Sequence, residues 1–397
     1  MFAIIESKNA DTKGKMENTD TTYLRGIKLY RGAGVVSSGL AIIAIVTPIE
    51  QRPLFTGLVT SLYALGTVVA PIIGGAFTTN VTWRWCFLIN LPAGTVTVIT
   101  LILFFHPPQQ SPAARTETVL QKLQQLDLIG CALFVPAIIM VLLALQWGGN
   151  KYPWNSATII GLFVGFAATL GLFITWELRA DQAMIPLPLL RRRSIIVSII
   201  FAFLFMGAFV VPVYYLPEWF QIVKGASSIR SGIMLLPSVS TQIFGSIISG
   251  VLGESVLASL LLIRLLTYYS SEILQGLGCG FAAQMPLLTI QSVLKNDPKL
   301  VPVGISTVLF AQYFGSSVMQ SIGGSIFQNK LDSQLQSYAH LDSDQIEMLL
   351  AVGTSKVQET AQQAFPDRLS AILIAYNDAI TNVFVSAYMS DSRRSYI

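Results

Sequence analysis

The side chains of this chain that could do chemistry are few, and most are neutral. Its two histidines, His106 and His340, fall at the end of one apolar run and in a polar stretch, so neither has a metal-ligating partner nearby. Cys86, Cys131 and Cys279 lie in apolar runs without a CxxC spacing and read as packing residues. No G-x4-G-K-[ST] loop is present, so no catalytic constellation, metal or cofactor is called. What stands out is polarity inside apolar segments: Asn90, Gln242, Gln284, Gln291, Gln312 and Gln320. Amides both donate and accept, which suits neutral guests; bonding between helices is the plainer use. Gln242, Gln284 and Gln312 fall near the middle of their segments, and with Asn90, Tyr63 and Tyr214 they are candidates to line a binding cavity. Phe205, Met206 and Tyr313 could add an adaptable apolar wall. Asp127, Glu177, Glu218, Glu254 and Glu272 sit near segment ends, whereas Asp378 lies within the last apolar stretch. Arg25 and Arg264 are the deep cations; an arginine does not deprotonate but can modulate a carboxylate. One segment holds a chain of small residues, Gly57, Gly66, Ala70, Pro71, Gly74 and Gly75. Small residues at i, i+4 intervals let helices touch backbone to backbone, and Pro71 removes a hydrogen bond and bends its helix. Such a helix can seal against a neighbour and later part from it.

The elements that position these residues follow from composition. Of 397 residues, 46 are charged (12%), 53% are hydrophobic and the net charge is +4, with a mean hydropathy of +0.61. A soluble domain carries about 25% charge. Residues 1–31 hold 10 charges and residues 328–397 hold 13, leaving 23 for everything between. That excludes a soluble enzyme, a disordered scaffold and a secreted disulfide protein, and no basic cluster interleaved with aromatics suggests nucleic acid. Runs of about 20 apolar residues read as transmembrane helices. They occur at 54–79, 84–106, 127–148, 156–177, 195–217, 229–252, 272–294 and 302–327. Residues 33–49 and 255–269 are doubtful, and 369–389 is long enough but polar. All six tryptophans fall at span ends, as an interfacial belt requires. Lysine and arginine concentrate in 50–53, 107–126, 178–194 and 295–301, which places those loops in the cytoplasm. The basic residues before 33–49 conflict with an outward crossing there. Residues 33–49 are therefore expected to lie re-entrant or at the interface, with a cytoplasmic N-terminus.

The spacing from Gly57 to Gly75 resembles the antiporter motif in the fifth span of drug:proton antiporters of the major facilitator superfamily, with Ala70 where the family usually has glycine. TWRWCFLINLPAG (82–94), FFHPP (104–108), LALQWGGNKYPWNS (143–156), YYLPEWFQIVKGASSIRSGIMLLP (214–237), GLGCGFAAQMPLLTIQSVL (276–294) and AYNDAI (375–380) are similar to its fungal 14-span efflux branch. The resemblance covers roughly residues 25–385. It implies an all-α integral membrane bundle holding about 8–11 of the family's 14 spans. Residues 1–53 would be a polar N-terminus and a remnant of the fourth span, and 54–106 the remainder of the N-terminal half. Residues 107–194 would be a linker with an extra helix pair. Residues 195–397 would be the C-terminal half, with a polar loop at 328–368 and an incomplete last span. Arg25 falls in the register of an arginine tied to proton transfer in the family, while Lys28 and Arg31 depart from the pattern. The first three spans and much of the eleventh are expected to be missing.

The implied activity is proton-driven export of small amphipathic compounds (drugs, toxins or secondary metabolites) by alternating access. Its proton-linked residues would be Arg25 and Asp378. A monomer in the plasma membrane is expected, with the vacuolar membrane as the alternative site. The rival readings are a non-transporting remnant and an integral membrane enzyme.

Overall fold

The computed structural model describes residues 36, 38–40, 42–44, 46–48, 51–82, 84–104, 127–149, 151–180, 183–252, 272–297, 300–354 and 356–387. Among these residues the chain is helical, and the one bridge, Gly148 to Tyr152, closes a turn. The helices are α1 (Arg52–Asn80), α2 (Trp85–Leu88), α3 (Asn90–Phe104), α4 (Leu128–Trp147), α5 (Ala157–Glu177), α6 (Leu187–Leu190) and α7 (Arg193–Ile222). They continue with α8 (Ser228–Met234), α9 (Leu236–Leu252), α10 (Glu272–Val293), α11 (Val301–Tyr338), α12 (Ser343–Ala351), α13 (Val357–Ala364) and α14 (Leu369–Ala387). Five segments are long and apolar enough to cross a membrane: Trp85–Phe104, Leu128–Trp147, Ala157–Glu177, Arg193–Ile222 and Val301–Tyr338. In lipid a backbone must satisfy itself, which is why such apolar runs are helices.

Local chemistry sets several boundaries. The Asp127 carboxylate accepts the Gly130 N–H at 2.7 Å and starts α4. The Ser156 hydroxyl accepts the Ile159 N–H at 3.3 Å and starts α5. Trp176, at the end of α5, donates its indole N–H to Asp127 at 2.9 Å, so the two helices are tied where they meet the interface. Lys151 stacks over Trp147 and Lys224 over Trp219, 5.0 and 5.3 Å from the ring centroids.

The packing has a clear register. Around α9 and α10, Gly276 meets Ser238, Gly280 meets Gln242, and Gln284 meets Ser246, a constant offset that makes these helices parallel. Around α1 and α9, Gly250 meets Pro53 and Gly57 meets Ser246, so these two are antiparallel. α7 lies parallel to α11, with Gly315 against Phe203 and Gly323 against Tyr215. α4 packs on α5 and on α11 through Phe134, whose ring is 4.9 Å from Phe173 and 5.1 Å from Phe310. The loops 178–194 and 295–301 were expected on one face, and they touch. Arg192 pairs with Asp297 and donates to the Val293 carbonyl at 2.7 Å.

The sequence expectations need several adjustments. The span read at 84–106 is interrupted at Ile89 between α2 and α3. Within 328–368, α12 and α13 fall in 342–365, where a helical period is present, and α11 runs further than its apolar run, on to Tyr338. Its glutamines hide a small core of Leu331, Leu335, Leu341, Ile346, Leu349, Val357 and Ala361, closed by Ile222 and Ile372. Cys86 is buried as expected, but Cys131 is exposed. In the doubtful stretch 33–49, Leu40 and Ala44 are helical and share a core with Leu189, Ile195, Ile290 and Ile305. The doubtful stretch 255–269 lies outside the described residues.

Candidate functional site: the seam of α1 with α9 and α10

α1 meets α9 along one buried strip, Thr56, Gly57, Ser61 and Ala64, while Leu58, Leu62, Tyr63, Leu65 and Val69 are exposed on its other faces. The contact is made backbone to backbone. A Cβ built on Gly57 would lie 2.7 Å from the Ser246 carbonyl oxygen, 3.1 Å from the Gln284 side-chain oxygen and 3.4 Å from the Gly250 Cα. One on Gly250 would lie 2.8 Å from the Pro53 carbonyl oxygen. Only hydrogen fits at these positions, so at Gly57 α1 meets α9 through weak C–H···O contacts worth about 0.5–1 kcal/mol each. Behind α9, Gly280 brings α10 equally close, with its Cβ position 2.3 Å from the Gln242 carbonyl oxygen.

The small-residue motif is thus used unevenly. Gly57 is buried in the seam, but Gly66 has nothing within 4 Å of its Cβ position and Ala70 is exposed. Gly74 is buried, and its carbonyl accepts a weak bond from the Cys86 thiol at 3.8 Å. Pro71 and Gly75 lie within the continuous helix.

The candidate cavity residues divide in two. Gln242, Gln284 and Gln312 come together around α10 and are buried. Gln284 donates to the Ser246 carbonyl at 3.1 Å, and Gln312 donates to the Ala283 carbonyl at 3.4 Å. Both side chains therefore fasten helices to one another. Asn90, Tyr63 and Tyr214 are exposed, and Tyr63 lies close to Tyr313, the neighbour of Gln312. Asn90 donates to the Phe87 carbonyl at 3.1 Å, and Tyr214 packs edge-on against Tyr215. Asp378 is half-buried on α14, where it accepts the Tyr338 hydroxyl at 3.5 Å. Arg25 lies outside the described residues. Among these residues no group of three or more His, Cys, Asp or Glu side chains could hold a metal ion.

Several polar residues of this region escaped the sequence reading. Thr56, Ser246 and Ser249 are fully buried at the seam. Their signal was present in the pairs Thr56–Gly57 and Ser249–Gly250, where a small hydroxyl adjoins a glycine. Trp219 was expected at a span end, but its bond to Asn377, 2.7 Å long and joining α7 to α14, was not.

The seam joins α1 to α9 and α10 through glycine, and a family model decides what kind of protein this is. The model described as "Fungal trichothecene efflux pump (TRI12)" matches residues 21–266. The chain belongs to this efflux pump family. Members are similar to it well beyond that stretch. The MFS-type transporter poxA of Penicillium oxalicum is 42% identical over 376 residues, covering 88% of this chain and 66% of the relative. The efflux pump roqT of Penicillium rubens is 40% identical over 379 residues, covering 89% and 68%. The MFS-type efflux pump MFS1 of Trichophyton rubrum is 38% identical over 377 residues, covering 89% and 69%. The chain spans just under two thirds of the length of poxA. As an efflux pump family member it is a multi-pass, helical integral membrane protein of the major facilitator superfamily, and the relatives named here are transporters or efflux pumps.

Proposed function

We propose that this protein is a secondary active exporter of small amphipathic compounds, toxins or secondary metabolites among them, that works by alternating access coupled to proton entry. The observation that carries this reading is the glycine contact of α1 with α9 and α10. Two surfaces held by backbone proximity and weak C–H···O contacts can close tightly and separate without breaking a strong bond. The N-terminal part of α1, from Pro53 to Ala64, forms this seal. In this reading Arg25 and Asp378 take part in proton coupling. Gln242, Gln284 and Gln312 border the path of the guest, and a monomer in the plasma membrane does the work. The segments 1–53, 54–106, 107–194 and 195–397 serve as its entry segment, first half, linker pair and second half.

The test is accumulation of a panel of labelled amphipathic compounds, a trichothecene included, in a pump-deficient yeast expressing the chain. Lower accumulation that a protonophore abolishes is the expected result. Unchanged accumulation and unchanged toxin sensitivity across the panel, with the protein present in the membrane, would refute the reading.

A further inference from the structure

The seam contains more hydrogen-bonding capacity than it uses. Thr56 is 0% exposed, Ser249 1%, Gln284 0% and Gln291 3%. Yet the Thr56 hydroxyl, the Ser249 hydroxyl, the Gln284 side-chain oxygen and both polar atoms of the Gln291 amide are buried without a hydrogen-bond partner. Their positions follow the register of the seam. Thr56 adjoins Gly57 on α1, and Ser249 adjoins Gly250 on α9. The Gln284 oxygen is aimed at Gly57, 3.1 Å from where a Cβ would stand. Gln291 follows Gln284 by seven residues, two turns along the same side of α10. Ordinary packing does not explain the pattern, because a buried polar atom left unpaired is penalised and most find a partner. Apolar side chains of the same shape would fill these positions without that penalty. Neighbouring polar residues do find partners: the Ser246 hydroxyl donates to the Gly280 carbonyl at 3.3 Å, and the Gln312 amide donates to the Ala283 carbonyl. Other buried side-chain oxygens without a partner lie elsewhere, on Asp127, Glu177, Gln320, Asp332 and Gln334, but those of Thr56, Ser249 and Gln284 stand beside the glycines of the α1 contact.

We propose that the facing sides of α1, α9 and α10 form a neutral hydrogen-bonding site that takes up water when α1 parts from the second half, so that the closed seam is held under strain by its own unpaired polar atoms. Thr56, Ser249, Gln284 and Gln291 carry no charge, so they offer water donors and acceptors without fixing an ion. Opening then satisfies what closing leaves unpaired, and the weak C–H···O contacts at Gly57 are all that is lost there. The closed and open arrangements are thereby brought closer in free energy than an apolar seam would allow. The inference rests on the alternating-access reading in taking α1 as the part that moves.

Two near-isosteric substitutions test it in the purified full chain. Thr56→Val and Gln291→Met remove unpaired groups with little change of volume or helix preference. Each is expected to raise the apparent Tm by about 2 °C and to cut hydroxyl-radical oxidation of the buried Leu288, one turn beyond Gln284 on the same side of α10, to less than half, since water then reaches the seam less often. Thr56→Ser keeps the hydroxyl and should show no fall in oxidation. Gln312→Met removes an amide that has a partner and should lower the Tm. A fall or no change in Tm for both Thr56→Val and Gln291→Met would overturn the proposal, because their polar groups would then have partners in the closed seam. Unaltered oxidation of Leu288 in both would overturn it equally. Neither readout uses a transported compound, so a chain that fails to lower accumulation in yeast leaves this test standing, and the converse also holds.

Discussion

The substitution of alanine for glycine at two positions of one helix gives a sharp test of the seam. At Gly57 the new Cβ would stand 2.7 Å from the Ser246 carbonyl oxygen and 3.4 Å from the Gly250 Cα, both main-chain atoms that cannot swing aside. Even a weak C–H···O contact needs about 3.3 Å, so α1 must move away from α9 by about 0.6 Å. Overpacking of this kind costs about 1–3 kcal/mol. At Gly66 the same Cβ meets nothing within 4 Å. Alanine also gains about 0.8–1 kcal/mol over glycine in a helix, but it does so at both sites, so the propensity term cancels in the comparison. The Gly66→Ala protein should therefore be more stable than the Gly57→Ala protein by about 1–3 kcal/mol. Thermal unfolding in detergent at one scan rate, followed by the fluorescence of the six tryptophans, reads the difference. Adding Gly250→Ala to Gly57→Ala should cost less than the two separate losses together, because one displacement makes room for both methyl groups. Equal Tm values for the Gly57 and Gly66 variants, or strict additivity with Gly250, would show that α1 does not pack against α9 in this register.

Other sites give further expectations. Trp219→Phe removes the donor to Asn377 and should destabilise by about 1–3 kcal/mol, while Asn377→Ala on that background should add little; a double-mutant cycle measures the coupling. Asp127→Ala loses both the cap of α4 and the acceptor for Trp176, so a loss of about 1–2 kcal/mol and a shift in tryptophan emission are expected. Leu349→Ala should cost about 2–5 kcal/mol locally and expose 340–365 to protease before the remainder, since Leu349 is completely enclosed in the small core beside α11. Asp297→Asn should cost less than about 1 kcal/mol, because both partners of its ion pair are well exposed and Arg192 keeps the Val293 carbonyl.

Much of the helical order was legible because each signal was local. Residues 127–148 were read as a span and form Leu128–Trp147: the apolar run, the capping aspartate and the terminal tryptophan all lie in one stretch. The core within 328–368 was not legible because it is assembled from distant partners. Leu331 and Leu335 are buried by Ile346, Leu349 and Ile372, and between them stand glutamines that mask the period. The same limit applies to the seam. Gly57, Gln284 and Gln242 were singled out from type and spacing. That Gln284 binds the carbonyl of Ser246, 38 residues earlier, depends on the register of two helices that no local pattern encodes. Gly66 and Gly57 look equivalent in sequence, and only the neighbours tell them apart.

The 38 residues of α11 form one unbroken rod about 57 Å long. A hydrocarbon core of about 30 Å accounts for little more than half of it. The remainder exceeds that span, and α12 and α13 pack against its flank. Such a rod is a lever. If it pivots near its first turn at Val301, a tilt of roughly 10° swings the far tip by about 10 Å, while the residues level with Gln312 move by only about 3 Å. A small repacking beside α10 would thus be written large on the outer surface. A pair of spectroscopic labels at Tyr338 and Lys151 would read it from outside the membrane.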